Sequence, residues 1–471
     1  MDKDLEASAY AGRWVARVRG RIIAQGGTPE MALRAARSSR HKEIPEVEYM
    51  PLELPLPPLI EKIRQALPEQ EMYLVGGAVR DMLLGREAPD LDFAVPTNGR
   101  ETARSAANRL GGDYMTLDQE RDTGRVILRD PKARRIYLDF AAYRTGETTT
   151  LFPELEADLR GRDFTINAIA YDVRKGVMLD PLNGVTDLRS KRIRACSTTA
   201  MQDDPVRVLR GVRLAAALGF QIEAETRKQM RKAAGELRKV SAERQRDELF
   251  KILEGPKPDA AVRALQMLGA LEAVLPELKA LEGVEQTAPH IYDVWNHTLA
   301  ALQSLEDILA ALETGGDPEK NGDLFTGLLS VKLGRYRQQF AEHLGTQLNA
   351  DRSLRALLFF IALYHDVSKP ESRTVEPEGR VRFFGHDQMG AKAAVRRAEA
   401  LHLSNDEIER LRVVISNHMR FHFHTSKMEG EGKAPSRKAI YRFFRDSGQA
   451  GPDLVLLGLA DLRGTQGAGL S

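Results

Sequence analysis

The chain has 471 residues, with 69 Lys and Arg against 67 Asp and Glu, and a formal net charge of +2. This length has room for roughly two to four domains, and the near-neutral charge means that any electrostatic contact with nucleic acid must be local. The single cysteine, Cys196, excludes intramolecular disulfides and cysteine-rich zinc modules. No apolar stretch reaches the length of a membrane span and the acidic start is no signal peptide, so we expect a cytoplasmic protein that does not bind membranes.

The first predicted element is a small N-terminal appendage. Residues 14–24 alternate around Arg19-Gly20, which predicts a hairpin, and Thr28-Pro29-Glu30 has the N-cap and the first-turn proline of a helix. Prolines at positions 45, 51, 55, 57 and 58 then predict a linker. We expect a hairpin-plus-helix appendage and a proline-rich linker over residues 1–55, with no chemistry that its residues indicate.

The next run, Leu74-Val75-Gly76-Gly77-Ala78-Val79-Arg80-Asp81, joins an apolar strand to a helix through two glycines. The glycines allow close approach of a ligand, and the N–H groups of the helix start can receive a triphosphate. In Asp90-Leu91-Asp92-Phe93, the strand period of two puts both carboxylates on one face, where they can share divalent ions. Each feature alone is more often a plain turn or a solvated strand end, but their order predicts a nucleotidyl-transfer site. Neither a P-loop nor a Rossmann glycine motif occurs.

Strand and helix patterns alternate from about Leu59 to Ile193, which predicts an α/β domain over residues 56–195. Asp139, on a predicted neighbouring strand, is a candidate third carboxylate, with an ordinary edge-strand aspartate as the alternative. Two basic runs, Arg121–Arg135 and Arg437–Arg445, are candidate RNA contacts, although such runs are more often solvated faces.

Beyond Cys196 the apolar spacing becomes helical, with breaks at Glu254-Gly255-Pro256 and at Gly315-Gly316-Asp317-Pro318. Asp204 and Arg207, three residues apart on a predicted helix, can present one acceptor and a fork of donors to a base edge. Cytosine and adenine offer an amino donor beside a ring-nitrogen acceptor, whereas guanine and uracil reverse that pattern. The pair therefore favours CTP and ATP, unless it is only a surface ion pair.

Five segments occur in an order that resembles the motifs of class II CCA-adding tRNA nucleotidyltransferases and bacterial poly(A) polymerases. They are Leu74–Asp92, Arg162–Ala168, Asp180–Gly184 with Asp187-Leu188, Asp203–Arg207 and Arg244–Leu249. The resemblance implies an α/β nucleotidyltransferase head of the DNA polymerase beta superfamily. An all-α neck over residues 196–285 would select the base and bind RNA. The implied reaction is Mg²⁺-dependent transfer of CMP and AMP to the 3′ end of tRNA without a nucleic-acid template.

Individual residues take expected roles from these segments. Asp90 and Asp92 would hold the metal ions, with Asp139 as the third catalytic candidate. The expected nucleotide-binding residues are Gly76, Gly77, Arg80, Arg162, Asp163, Asp204, Arg207 and Arg210. Arg162 is expected to clamp phosphate and Asp163 to accept the ribose hydroxyls, whereas Asn167 is expected to hold the turn. The chain departs from the family at Asp203, where Glu is common, and at Gly161, where Arg is usual.

A second constellation lies near the C-terminus, where nine of the ten histidines follow residue 285. His365-Asp366, with His297 upstream and Asp461 downstream, resembles the pattern of HD metal-dependent phosphohydrolases. His386 and His418 can complete a dinuclear site, because His and Asp bind divalent metals that activate water. The resemblance implies an all-α HD domain over residues 286–471 that holds a divalent transition metal. The alternative is a helical body that only holds tRNA.

The product of the reaction stays open at this stage. Only Thr145 to Gly161 separate Arg144 from Arg162, whereas complete CCA-adding relatives usually carry a longer segment associated with the switch from CTP to ATP. Glu147, Glu154 and Asp158 with Arg160 can form a shorter lever. Full CCA addition is the favoured expectation. The alternatives are a CC- or A-adding enzyme with a partner nucleotidyltransferase, a poly(A) polymerase, and an HD phosphohydrolase with a regulatory head. A further alternative is an RNA-binding or nucleotide-sensing protein whose transferase site is dead, which intact Asp90 and Asp92 disfavour.

Overall fold

The computed structural model describes residues 10–38, 43–52, 54–88, 90–129, 135–143, 153–313, 324–349, 352–432 and 434–466. The chain divides into two compact units. The first consists of Met1–Asp203 with Gln221–Thr226, and the second of Asp204–Phe220 with Arg227–Ser471. Within the described ranges, every helix is too short or too polar to cross a bilayer.

The N-terminal appendage is a three-stranded antiparallel sheet with one helix. Its elements are β1 (Trp14–Val18), β2 (Arg21–Gly26), α1 (Pro29–Ser38) and β3 (Glu46–Tyr49), and the strand order is β2-β1-β3. The predicted hairpin and helix are confirmed, and Thr28 Oγ1 accepts a hydrogen bond from the Met31 N–H at 3.3 Å. The prediction of a linker is wrong for β3. Prolines flank this strand at both ends, where an edge strand tolerates them.

The larger sheet of the first unit has seven strands in the order β10-β9-β4-β5-β8-β7-β6. Its strands are β4 (Tyr73–Val75), β5 (Asp90–Val95), β6 (Asp113–Asp118), β7 (Thr123–Arg129), β8 (Arg135–Ala142), β9 (Ala170–Asp172) and β10 (Val177–Leu179). Its helices are α2 (Pro58–Ala66), α3 (Gly77–Leu83), α4 (Gly99–Leu110), α5 (Pro153–Arg160), α6 (Gly184–Arg189) and α7 (Ala200–Asp203). Strands β11 (Arg192–Ile193) and β12 (Gln221–Ile222) pair separately and in parallel. The predicted α/β alternation is confirmed.

The centre of this sheet places two carboxylates on one face. Along β5, Leu91 and Phe93 are buried in the core, and the Phe93 ring stacks on Phe140 of β8 at a centroid distance of 4.8 Å. Because successive side chains of a strand point to opposite faces, Asp90 and Asp92 lie on the other side. The predicted strand and its shared carboxylate face are therefore confirmed.

The second unit is almost entirely helical. Its helices are α8 (Arg207–Leu218), α9 (Ala224–Ala233, which begins in the first unit), α10 (Ala242–Glu254), α11 (Pro258–Met267), α12 (Ala270–Val274), α13 (Val294–Leu312), α14 (Leu324–Leu333), α15 (Arg337–Leu344), α16 (Leu354–Tyr364), α17 (Lys369–Ser372), α18 (His386–Ala400), α19 (Asn405–Glu431), α20 (Arg437–Ser447) and α21 (Gly451–Gln466). The break near Gly255 is confirmed, whereas the Gly315–Pro318 break lies outside the described residues. The expectation of helices throughout is wrong for a hairpin of β13 (Arg373–Val375) and β14 (Val381–Phe383).

Helix α16 forms the centre of the C-terminal helices. Apart from Arg355 its residues are apolar or aromatic, and every residue from Ala356 to Tyr364 is buried, as expected for a core helix. The buried Tyr364 hydroxyl donates to Glu277 at 3.0 Å, and Glu277 also binds Arg397 of α18 at 2.6 Å. These contacts fix the end of α16, after which His365 and Asp366 follow.

Candidate functional site

Three carboxylates lie together on adjacent strands of the first unit. Asp92 of β5 is the parallel-ladder partner of Asp139 on β8. Asp139 accepts two hydrogen bonds of 2.7 Å from Arg125. In the described part of the chain, Asp90 and Asp92 form no hydrogen bond or ion pair with another residue. Burial raises the pKa of both, and the neighbouring Asp139 charge raises the pKa of Asp92 further. Oxygen donors with an unbalanced charge fit a hard divalent cation such as Mg²⁺.

The turn between β4 and α3 reaches the same place. Gly76 has φ +75°, and a Cβ there would lie 3.2 Å from Asp92 Oδ2 and 3.4 Å from Nη1 of Arg162. Glycine is therefore needed both for the backbone angle and for this close approach. The turn, Asp92 and Arg162 meet at one point.

The Arg162–Ala168 segment is held from two sides. Arg162 donates to Asp158 of α5 at 3.0 Å. Asp163 Oδ1 accepts from the Phe164 N–H at 2.7 Å and from Asn167 at 3.0 Å. Asn167 in turn accepts from Arg80 of α3 at 2.7 Å. Arg80, expected at the nucleotide, thus links α3 to this segment.

The predicted lever before this segment is differently paired. Asp158 binds Arg162, whereas Arg160 binds Glu156 at 2.6 Å. Asp158 therefore ties α5 to the Arg162–Ala168 segment instead of pairing with Arg160. Glu147 lies outside the described residues.

The expected base-selecting pair lies at the start of α8. Arg207 is its first residue, whereas Asp204 lies between α7 and α8, so the prediction of one shared helix is wrong for Asp204. The reason is Pro205, because the residue before a proline is disfavoured in the helical region. Asp204 Oδ2 accepts from Arg244 of α10 at 2.7 Å.

Helix α10 also contacts Arg210 of α8, the remaining residue expected to bind nucleotide. The Arg210 guanidinium lies 3.5 Å from the carboxylate of Glu248 on α10, and that carboxylate also pairs with Arg213 at 2.7 Å. The Arg244–Leu249 segment thus supplies partners for Asp204, which precedes α8, and for Arg210 and Arg213 of α8. Sequence reasoning named that segment but missed these pairs, because they join residues far apart in the chain.

The second constellation brings together all six side chains expected in the C-terminal region. Two groups each have ligand atoms within 4.8 Å of one another: His297, His365 and Asp461, and Asp366, His386 and His418. All six side chains are buried. His297 Nε2 lies 3.0 Å from Asp461 Oδ1, and the Nε2 atoms of His386 and His418 are 3.3 Å apart. Asp366 touches both groups, with Oδ2 3.2 Å from His365 and Oδ1 3.4 Å from His386.

Backbone carbonyls orient three of these histidines. Nδ1 of His365, His386 and His418 lies 2.7, 2.7 and 2.6 Å from the carbonyl oxygens of Ala362, Phe383 and Ile415. Donation by Nδ1–H directs each Nε2 atom at the cluster, as in metal-binding histidines. Nε2 of His297 and of His365 is buried outside hydrogen-bond geometry with any described residue. Nitrogen and carboxylate donors together fit a divalent transition metal.

Charge is unevenly distributed within the cluster. Burial lowers the pKa of His365, but the Asp366 and Asp461 carboxylates outweigh it and raise that pKa to about 10. Burial, with the charge of His365, lowers the pKa of His418 to about 3. A divalent cation must displace the His365 proton, because imidazole binds metals in its neutral form.

A cavity of about 390 Å³ opens beside the cluster and reaches Asp366, His386 and Asp461. Its wall includes three basic and two aromatic side chains, Lys369, Arg380, Arg382, Phe383 and Phe384. Lys369 Nζ lies 2.7 Å from Asp366 Oδ2.

Lys369 and His422 also contact the cluster, and sequence reasoning missed both roles. His422 lies 2.6 Å from Asp461 Oδ2. Lys369 follows Asp366 by three positions and His422 follows His418 by four, spacings that place helical residues on one face.

Three sequence families match parts of this chain. Residues 72–194 match the family described as Poly A polymerase head domain. Residues 219–282 match the one described as probable RNA and SrmB-binding site of polymerase A. Residues 5–53, which include the appendage, match a family of unknown function, DUF5678.

Similar proteins extend the match beyond these families. Over 405 residues the chain is 32% identical to the CC-adding tRNA nucleotidyltransferase of Thermus thermophilus, which covers 84% of this chain and 77% of that protein. The chain belongs to the tRNA nucleotidyltransferase family. Another member, the A-adding enzyme of Deinococcus radiodurans, is 32% identical over 401 residues, 84% of this chain and 76% of that protein.

Solved structures show the fold that this tRNA nucleotidyltransferase shares with its relatives. The structure of the Thermotoga maritima CCA-adding enzyme complexed with tRNA matches with a TM-score of 0.53 at 22% identity. The match covers 85% of this chain and 77% of that one. It supports the assignment of the α/β head to the nucleotidyltransferase fold.

Proposed function

We propose that this tRNA nucleotidyltransferase adds CMP and AMP to the 3′ end of tRNA without a nucleic-acid template. The observation that carries the proposal is the pair of carboxylates beside the Gly76 turn, Asp90 and Asp92, which have no hydrogen-bond or ion-pair partner among the described residues. The similarity to CC-adding and A-adding enzymes, which extends over 84% of this chain, supports tRNA as the acceptor.

In the proposed reaction, the terminal ribose hydroxyl attacks the α-phosphate in line and pyrophosphate leaves. Asp90 and Asp92 would hold Mg²⁺, which when bound activates the hydroxyl and neutralises the leaving group. Both Asp139 oxygens accept hydrogen bonds from Arg125. Asp139 would therefore act on Asp90 and Asp92 through its charge and not as a metal ligand. Arg162 would clamp the triphosphate beside Gly76, and Asp163 would orient the ribose.

The nucleotides that the enzyme adds to tRNA distinguish the activities found in this family. Purified protein should be incubated with tRNA that lacks the terminal CCA, with CTP alone, with ATP alone and with both, and the 3′ ends should be sequenced. We expect two C residues with CTP alone and a complete CCA end with both nucleotides. A product that stops at CC identifies a CC-adding enzyme, and addition of A only to tRNA ending in CC identifies an A-adding one. Long A tails would identify a poly(A) polymerase.

Base selection is proposed to depend on Asp204 and Arg207. Arg207→Ala should relax the preference for C and A over U and G by about tenfold or more, since a lost hydrogen-bond pair to a base edge is worth about 1–3 kcal/mol. Triphosphate affinity should change less, because the phosphates are held in the head. The measurement is kcat/KM for all four nucleotides. Arg231→Ala, on α9, is a control for loss of a surface cation. Unchanged discrimination in Arg207→Ala would refute the role in base selection.

A second activity is favoured by the buried histidine and aspartate cluster. We propose that residues 286–471 form an HD phosphohydrolase domain in which the six clustered side chains hold a divalent transition metal. The metal would supply an activated water when bound. Lys369, Arg380 and Arg382 on the cavity wall suit a phosphoester, and the exposed Phe384 offers a stacking face to a base.

A further inference from the structure

The N-terminal appendage is anchored to the third family motif, Asp180–Gly184. Arg13, which precedes β1, lies with Nη1 3.4 Å from Asp180 Oδ2 and donates from Nη2 to Asn183 Oδ1 at 3.1 Å. The Trp14 indole donates to the Met178 carbonyl at 3.1 Å. The Arg13 side chain is 11% exposed and that of Asp180 is 0% exposed, so this ion pair lies inside the protein.

The backbone of the appendage closes on the same residue. The Asp180 N–H donates to the Gly27 carbonyl at 2.9 Å. A Cβ at Gly27 would lie 1.8 Å from the Asp180 carbonyl oxygen, which is too close for any side chain. The appendage thus holds Asp180 through a guanidinium on one side and a glycine backbone on the other.

Asp180 passes this restraint to helix α6. Its Oδ1 accepts from the Gly184 N–H at 2.6 Å and its Oδ2 from the Val185 N–H at 3.1 Å. These bonds satisfy the first free N–H groups of the helix. A buried carboxylate in this role is costly without a cation, because burial disfavours its charge, and Arg13 supplies that cation.

Helix α6 in turn supports the Arg162–Ala168 segment. A Cβ at Gly184 would lie 2.1 Å from the Thr165 carbonyl oxygen, so the helix start is in backbone contact with the segment. The Thr165 hydroxyl donates to Asp187 Oδ2 at 2.7 Å, and Arg194 donates to the same oxygen at 2.7 Å. A shift of Asp180 is therefore transmitted to the residues next to Arg162 and Asp163.

We propose that the appendage is a positioning element of the nucleotide site, in which Arg13 and Gly27 hold Asp180 and, through α6, set the place of Arg162 and Asp163. The proposal rests on the proposed function, because it requires that these two residues serve the incoming nucleotide. Arg13 acts at a distance from the reacting atoms. It is therefore a positioning residue. The proposal gives a role in this chain to the segment that matches the family of unknown function, residues 5–53.

The test compares Arg13→Met with Arg17→Met. Arg17 pairs with Glu48 inside the appendage and is similarly shielded, with 19% of its side chain exposed. Loss of alignment at a bound nucleotide should raise the KM for CTP on the order of tenfold in Arg13→Met, with the KM for tRNA unchanged. Arg17→Met should leave both KM values at the wild-type level. Arg13→Lys, which keeps the charge, should recover part of the CTP affinity.

A purely structural contact gives a different result. It would lower the folded fraction and the apparent kcat while the KM for CTP stayed constant, and this outcome would overturn the proposal.

Asn183→Gly removes the second acceptor of Arg13 but keeps the positive φ of 57° accessible, so it provides a test if Arg13→Met does not fold. Equilibrium binding of CTP to the same variants separates the two proposals. If the wild-type protein adds no CMP, the proposed function fails, whereas the ratio of CTP affinities still decides the role of Arg13.

Discussion

Replacing Asp92 with asparagine is expected to lower CMP incorporation on the order of a thousandfold without loss of the fold. The physical reason for both effects is the same. Asp92 lacks a hydrogen-bond or ion-pair partner among the described residues, and burial followed by the Asp139 charge raises its pKa. At pH values above the raised pKa, the ionised Asp92 carboxylate therefore destabilises the metal-free fold. A bound metal ion offsets this destabilisation.

The stability of the variant provides an independent measurement. Without Mg²⁺, we expect the Tm of Asp92→Asn at pH 7.5, a pH chosen to lie above the carboxylate pKa range, to equal or exceed that of the wild type. Mg²⁺ should raise the wild-type Tm and leave that of the variant unchanged. Asp113→Asn, at an exposed position on β6 of the same sheet, is the matched control and should retain activity. Incorporation within a factor of about ten of the wild-type rate would contradict the role of Asp92 as a metal ligand.

The site in the head could be predicted where the physics is local. Asp90 and Asp92 share a face because a strand has a period of two, and that period is readable in four residues. Gly76 could likewise be assigned to a turn. The sequence does not show that Arg125 occupies the oxygens of Asp139, because this contact depends on the register of β7 against β8. Asp139 therefore could not be separated from a third metal ligand in advance.

Two errors had causes that the sequence contains. The i,i+3 spacing to Arg207 predicts a helix at Asp204, but Pro205 follows it, and a proline disfavours helical geometry in the preceding residue. The prolines around strand β3 predict a linker because the strand has only four residues, Glu46–Tyr49. In both places a proline marks a boundary of an element. Pro205 separates Asp204 from α8, and the five residues between Pro45 and Pro51 leave room for the short strand β3.

The histidine cluster could be predicted by residue type and order, but not its surroundings. His297, His365, Asp366, His386, His418 and Asp461 converge from five helices and their ends. The sequence does not predict the β13–β14 hairpin beside them, because strands of three residues are too short for a readable periodicity. That hairpin adds Arg382, Phe383 and the adjoining Phe384 to the cavity wall. The residues that bear on substrate choice therefore lie where hydrophobic periodicity does not indicate an element.

Replacing Asp366 with asparagine is expected to abolish phosphoester hydrolysis and metal retention while CMP addition stays within a factor of about two. Asp366 is the carboxylate that touches both ligand groups. Burial raises its pKa, but His365 and Lys369 outweigh burial and hold that pKa well below the usual value. Its pairing therefore stabilises the fold above the ordinary carboxyl pKa, and this contribution is lost as the pH falls.

The same pairing makes the aspartate variant vulnerable, since it leaves His365 and Lys369 without their counter-charge at a cost of about 3–5 kcal/mol. His386→Gln avoids this problem and should also abolish hydrolysis, because it removes one ligand and no ion pair of that strength. His402→Gln, at a surface histidine paired with Glu243, is the matched control. The assay is hydrolysis of a 2′,3′-cyclic nucleotide and of a phosphomonoester with Ni²⁺ or Co²⁺, together with elemental analysis of bound metal. If the wild-type protein retains no metal and cleaves neither substrate, the cluster is a buried polar network that supports the helices and not a second active site.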